Sequence, residues 1–146
     1  MTSKNALSFT RYKYMEKPMI KLLLVTPDKE SFRDFALALT QSDDVELSRS
    51  ESGQEALAIL SENPVDIVVV DESVGDMTGI GFMKKLISIN PMINCAAVSP
   101  LPHEEFHEAS EGLGVLAQLP IKPGKPEAEN LLKHLKDLKI LLNPKI

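Results

Sequence analysis

From residue 20 onward the chain switches between two patterns: short, nearly continuous apolar runs, and longer stretches in which apolar residues recur every three or four positions. The runs IKLLLVT (20–26), VDIVVVD (65–71) and NCAAVS (94–99) show little polar alternation, which predicts strands buried on both faces, as in the centre of a parallel sheet. VELSRS (45–50) and VLAQLPI (115–121) are further strand candidates. Between them lie helices. PDKESFRDFALALTQS places Phe32, Phe35, Ala36 and Leu39 on one face, with Thr26 as the expected N-cap and Pro27 at the first helical position. SGQEALAILSEN turns Ala56, Leu57 and Leu60 inward behind a Ser52 cap, and Pro64 bars continuation. IGFMKKLISIN closes at Asn90 and Pro91, and PLPHEEFHEASEGLG reads as a short polar helix. The last stretch, KPGKPEAENLLKHLKDLKILLN, starts a helix near Pro126 and repeats Leu131, Leu135, Leu138 and Leu142 along one stripe.

Five strand–helix units in succession predict a doubly wound, five-stranded parallel sheet with helices on both faces, a three-layer α/β sandwich. Ligands of such sheets bind at the carboxyl ends of the strands, near the point where the strand order reverses. Four strand ends are therefore candidate site positions: Thr26, Asp71, Ser99 and Lys122. They bring a carboxylate, two hydroxyls and an ammonium to one edge. Asp71 stands out because it ends an unbroken apolar run and precedes a segment with two glycines, Gly75 and Gly79.

Composition narrows the setting. The 146 residues suit one domain, and 43% apolar with 25% charged residues is ordinary for a chain with a packed core. A net charge of -5, with basic residues interleaved among acids, disfavours a nucleic-acid surface. The single cysteine, Cys95, excludes an intramolecular disulfide, and its apolar neighbours mark it as a small core residue. With no long apolar run and no signal peptide, a soluble cytoplasmic protein is expected. Residues 1–18 lack a sustained period and read as an N-terminal extension, with Met19 as a second candidate start, and residues 19–146 form the domain.

Over almost the whole of that domain the sequence resembles the response-regulator receiver domains, whose fold is flavodoxin-like (CheY-like). The resemblance is carried by VDIVVVD for the strand ending in the phospho-accepting aspartate, MTG (77–79) for the family's Met-Asp-Gly turn, AAVS (96–99) for the strand ending in a switch hydroxyl, and IKP (121–123) for the Lys-Pro pair. It implies that Asp71 accepts a phosphoryl group, Ser99 is the switch hydroxyl and Lys122 contacts the phosphoryl. It also implies Mg²⁺ held by Asp71, by the backbone carbonyl of Ser73 and, in a weakened form, by Asp28. The implied partners are a sensor histidine kinase or phosphotransfer protein and a downstream protein target, with a homodimer through the fourth helix, fifth strand and fifth helix.

The chemistry accounts for the residue types. A phosphoryl group moving to a carboxylate spreads charge over its oxygens and needs a cation and hydrogen-bond donors more than covalent help. The departures fall on the metal. Receivers place two acids directly after the first strand, where this chain has Thr26 and Pro27, and Asp28 comes one place late. Val74 and Gly75 stand for the usual Met-Pro, Thr78 for the Asp before the turn glycine, and Pro100 for a small residue after the hydroxyl. Leu119 replaces the aromatic that many receivers carry three positions before the lysine.

The function expected is a stand-alone receiver domain of two-component signalling, a non-enzyme that accepts a phosphoryl group on Asp71 and signals through a protein surface. The alternative is a pseudo-receiver that works as an interaction module without phosphate. A remote alternative is a zinc peptidase, because HEEFH (103–107) matches H-E-x-x-H with His103 and His107 as ligands and Glu104 as base. Its context is poor, since only His134 remains downstream as a histidine and falls in a different element. A phosphatase using Asp71 is disfavoured by Ser73, where a second aspartate is required.

Overall fold

A computed structural model describes residues 19–142, with the side chains of 139–142 left aside; the expected N-terminal extension, 1–18, and the Leu142 side chain lie outside the described part. The strands are β1 (Ile20–Val25), β2 (Val45–Ser50), β3 (Ile67–Val70), β4 (Asn94–Val98) and β5 (Val115–Leu119), and the helices are α1 (Arg33–Thr40), α2 (Gly53–Glu62), α3 (Gly79–Ile89), α4 (His103–Ala109) and α5 (Lys125–Leu142). All strands are parallel, in the order β2-β1-β3-β4-β5. The order reverses between β1 and β3, so the ends of those two strands flank the crevice where such sheets bind ligands.

The predicted two-sided burial holds in the central strands because successive side chains point to opposite faces. Leu22, Leu24, Ile67, Val69, Ala96 and Val98 pack on one side with Phe35 and Leu39 of α1 and Leu131 and Leu135 of α5. Leu23, Val25, Val68, Val70, Cys95 and Ala97 pack on the other with Ala56 of α2, Phe82 and Leu86 of α3, and Phe106 of α4. Fully burying one such aliphatic side chain contributes about 1.5–3 kcal/mol, so each face of the sheet is a substantial share of the stability. Cys95 is a core residue, its thiol pushed up to about 12 by burial. No helix among the described residues is long and apolar enough to cross a membrane.

The expected faces of α1 and α2 are in place, and Ser52 caps α2 through the Glu55 N–H. The start of the first helix differs from expectation. A 3-10 turn, Lys29–Phe32, precedes α1, and its cap is Asp28, whose carboxylate accepts from the Ser31 N–H; Thr26 is not the cap and Pro27 is not in the helix. The physical reason is that Asp28 offers the better cap, its carboxylate accepting both the Ser31 N–H and the Ser31 hydroxyl, while the Thr26 hydroxyl accepts the N–H of Asp28 itself, before the turn begins. The fourth helix is also shorter than the polar stretch suggested, ending at Ala109 before Gly112, which adopts φ 82°.

Candidate functional site

The carboxyl edge of the sheet gathers the predicted residues on loops that the strands hold in register. The Asp71 N–H donates to the Val25 carbonyl at 3.0 Å, which extends the β1–β3 pairing and sets the aspartate beside Thr26. Thr26 is 3% exposed. Its hydroxyl donates to Asp71 Oδ2 at 2.6 Å and accepts the Asp28 N–H at 2.9 Å. A hydroxyl has one proton to give, and the ionised oxygen at short range outcompetes the Asp28 carbonyl at 3.3 Å. Asp71 Oδ1 accepts the Glu72 N–H at 2.7 Å, so both carboxylate oxygens have donors.

After Asp71 the chain makes a tight excursion. Ser73 and Thr78 pair across it as an isolated antiparallel bridge, closed by Val74 N–H to Met77 carbonyl at 2.9 Å and Gly79 N–H to Glu72 carbonyl at 2.8 Å. Gly75 sits at φ 87°, a region that favours glycine. Gly79 is required for another reason: a Cβ there would collide with the Asp71 carbonyl oxygen. Thr78 caps α3 by accepting the Gly81 N–H at 3.0 Å.

Ser99 and Lys122 stand at the same edge on the loops after β4 and β5, the two strands beyond β3 in the sheet. The Ser99 hydroxyl accepts the Leu101 N–H at 3.2 Å, and the Gln118 amide donates to the carbonyls of Ser99 at 3.2 Å and Leu101 at 2.8 Å. Lys122 is exposed at φ 56° and is in no ion pair with Asp71; its charge is felt at Asp28. Leu119 is buried in the core with α1 and α5.

Mg²⁺ needs near-octahedral oxygen ligands and is held through carboxylates. Asp28 is engaged at its own helix start, its oxygens accepting the Ser31 N–H at 3.3 Å and the Ser31 hydroxyl at 2.6 Å. Among the described residues no group of three or more His, Cys, Asp or Glu could hold a metal ion. Asp71 and the Ser73 carbonyl remain as donors, and Thr26 takes one oxygen of the first. The residues present do not fit a resident Mg²⁺.

The edge and the strand order suffice to assign the architecture, and comparison with solved structures agrees. The chain superposes on a CheY-like response regulator receiver domain protein from Methanospirillum hungatei with a TM-score of 0.71 at 17% identity, covering 83% of this chain and 97% of that one. The fold is that of a receiver domain. The chemotaxis response regulator CheY4 of Vibrio cholerae gives 0.68 at 22% identity over 80% and 98% of the two chains. The signal receiver domain of an HD domain-containing protein from Pseudomonas fluorescens gives 0.74 at 14% over 89% and 96%. No family model and no curated protein matches the sequence.

Within this receiver fold the zinc-peptidase reading loses its footing. His103 and His107 stack with centroids 6.4 Å apart on a seven-residue, exposed helix. His134 is on α5, which packs on the opposite face of the sheet from α4. A third ligand is missing among the described residues.

Two residues that the sequence reading passed over shape the receiver edge. Asp76 accepts the N–H groups of Gly53 at 2.8 Å and Gln54 at 3.1 Å, placing a carboxylate at the positive end of α2. Gln118 was visible as a polar residue inside an apolar strand, but its partners were not.

Among the described residues four carboxyl groups are held below their ordinary range: Asp28 by the Ser31 hydroxyl and N–H, Asp44 by the Ser42 hydroxyl and Lys136, Glu55 by the Glu51 N–H and the Ser50 hydroxyl, and Asp76 by the Gly53 and Gln54 N–H groups. In acid the unfolded chain therefore binds more protons than the folded one, and stability falls as pH drops through the depressed values. The urea midpoint is expected to be flat from about pH 7 to 5 and to fall below about pH 4, with a shallower fall in Asp76→Asn. A midpoint that rises on acidification would contradict this.

Proposed function

We propose that this chain is a receiver-type signalling module that works by presenting a protein-interaction surface, with Asp71 serving as a structural anchor. The supporting observation is the 2.6 Å hydrogen bond from the buried Thr26 hydroxyl to Asp71, at the place where receivers carry metal-binding acids. Without a fitted cation, charge developing on a transferred phosphoryl group lacks its main stabiliser. The reading that Asp71 is a phospho-acceptor is favoured by one feature, the placement of Ser99 and Lys122 on the adjoining loops.

Intact mass after incubation with acetyl phosphate and Mg²⁺ separates the two. The anchor reading expects no phosphoryl adduct on the wild type. A stoichiometric adduct that disappears in Asp71→Asn would replace it with phospho-acceptance.

The proposed partners are a histidine kinase or phosphotransfer protein and a downstream target in the cytoplasm, or a second copy of the chain. The proposed surface is α4, β5 and α5. Lys133 is its cleanest probe, since Lys136 is tied to Asp44 at 3.1 Å and its replacement would also remove that ion pair. Lys133→Glu is expected to weaken association about fivefold or more, as for a charge at an interface. Binding insensitive to that change but abolished by changes on α1 would move the surface.

A further inference from the structure

We infer that the carboxyl edge of this sheet is locked in one conformation by three side-chain tethers, Thr26 to Asp71, Asp76 to the start of α2, and Gln118 to the loop after β4, so that the surface around Asp71 is presented constitutively and not switched. The inference deepens the anchor reading of Asp71 and rests on it.

Each tether joins loops that belong to different strands. Thr26 binds the loop after β1 to the end of β3, through Asp71 Oδ2 at 2.6 Å and the Asp28 N–H at 2.9 Å. Asp76 binds the excursion after β3 to α2, through Gly53 at 2.8 Å and Gln54 at 3.1 Å, and the Val74 carbonyl adds a further contact to the Gly53 N–H at 3.2 Å. The Met77 side chain closes over Gly53 so tightly that a Cβ there would lie 2.7–2.9 Å from it. Gln118 reaches from β5 to the Ser99 and Leu101 carbonyls. Loops that rearrange must break such bonds, and here every loop lining Asp71 on the β1, β3 and β4 strand ends has one. The side chain that could swing between two positions is also lacking, because Leu119 is 3% exposed and packed into the core.

Amide hydrogen exchange on the full chain reads each tether through its own reporter: the Asp28 N–H for Thr26 and the Gly53 and Gln54 N–H groups for Asp76 directly, and for Gln118 the Leu101 N–H, which donates to the Ser99 hydroxyl within the turn whose carbonyls Gln118 holds. All are expected to be protected in the wild type and unchanged by acetyl phosphate with Mg²⁺. Thr26→Val, Asp76→Asn and Gln118→Glu should each speed exchange at their own reporter by roughly 5- to 30-fold, the factor for one or two lost hydrogen bonds. The other two reporters should stay protected. If Thr26→Val does not fold, Thr26→Ser keeps the hydroxyl and must retain protection at Asp28. Reporters that exchange freely in the wild type, or that lose protection together on adding acetyl phosphate and Mg²⁺, would overturn the lock. A phosphoryl adduct on Asp71 with protection unchanged would overturn the anchor reading alone. Lost protection with no adduct would overturn the lock alone.

Discussion

Gly79→Ala is expected to destabilise the domain by about 2–4 kcal/mol, among the larger effects of a single methyl group. Gly79 opens α3 directly under the end of β3, and a Cβ would collide with the Asp71 carbonyl oxygen. Neither party can yield cheaply: one is the backbone of a strand end paired to β1, the other the first turn of a helix whose Phe82 and Leu86 fill the core. Moving the helix away would also stretch the Gly79 N–H to Glu72 carbonyl bond of 2.8 Å that closes the excursion. Gly124→Ala is the control, because its Cβ would meet only ordinary contacts, at 3.6 Å and beyond, and it should stay within about 0.5 kcal/mol. Urea unfolding of both variants decides the matter. A cost at Gly79 no larger than at Gly124 would mean that α3 does not press on Asp71 as described.

That glycine was legible in the sequence through the resemblance that MTG carries, and the fold through local pattern. The apolar run ending at Val70, the face carrying Phe32, Phe35 and Leu39, and the Ser52 cap depend on neighbours within a few positions, and all of them formed as read. The errors lie where a side chain answers to a distant partner. Thr26 before Pro27 obeys the local rule for a helix cap, yet its hydroxyl bonds Asp71, 45 positions on. Asp76 looks like a turn residue and caps a helix 23 positions earlier. Asp28 is the local exception: it accepts from Ser31, three positions on, as the cap of the 3-10 turn, a role the sequence had assigned to Thr26. The strand ends named from the sequence stand at the carboxyl edge of the sheet, whereas the bonds from Thr26 to Asp71 and from the start of α2 to Asp76 join positions far apart in the chain and left no local signal.

Thr26→Asp with Pro27→Asp is expected to exchange one wiring for the other. In the absence of metal the double variant should lose about 2–4 kcal/mol, because it removes the 2.6 Å bond to Asp71 and sets a buried carboxylate against another. At about 4 Å and an effective dielectric of 20 the gross repulsion is about 4 kcal/mol, which is relieved in part by proton uptake. A divalent ion reverses the sign. Each new carboxylate attracts it by roughly 6–7 kcal/mol gross at about 5 Å, and desolvation and mutual repulsion of the acids remove most of that. A net gain of about 1–3 kcal/mol raises Mg²⁺ affinity roughly 5- to 150-fold. Since the ion binds only the folded form, it should also restore the melting temperature. The comparison is wild type, the double variant, and the double variant with Asp71→Asn, each melted with and without Mg²⁺ and then exposed to acetyl phosphate. Wild type should melt at the same temperature in both conditions, the double variant should recover with the ion, and only the double variant with Asp71 intact should gain a phosphoryl adduct. Wild type stabilised by Mg²⁺ as strongly as the double variant would show that Thr26 excludes nothing, and the anchor reading of Asp71 would fall with it.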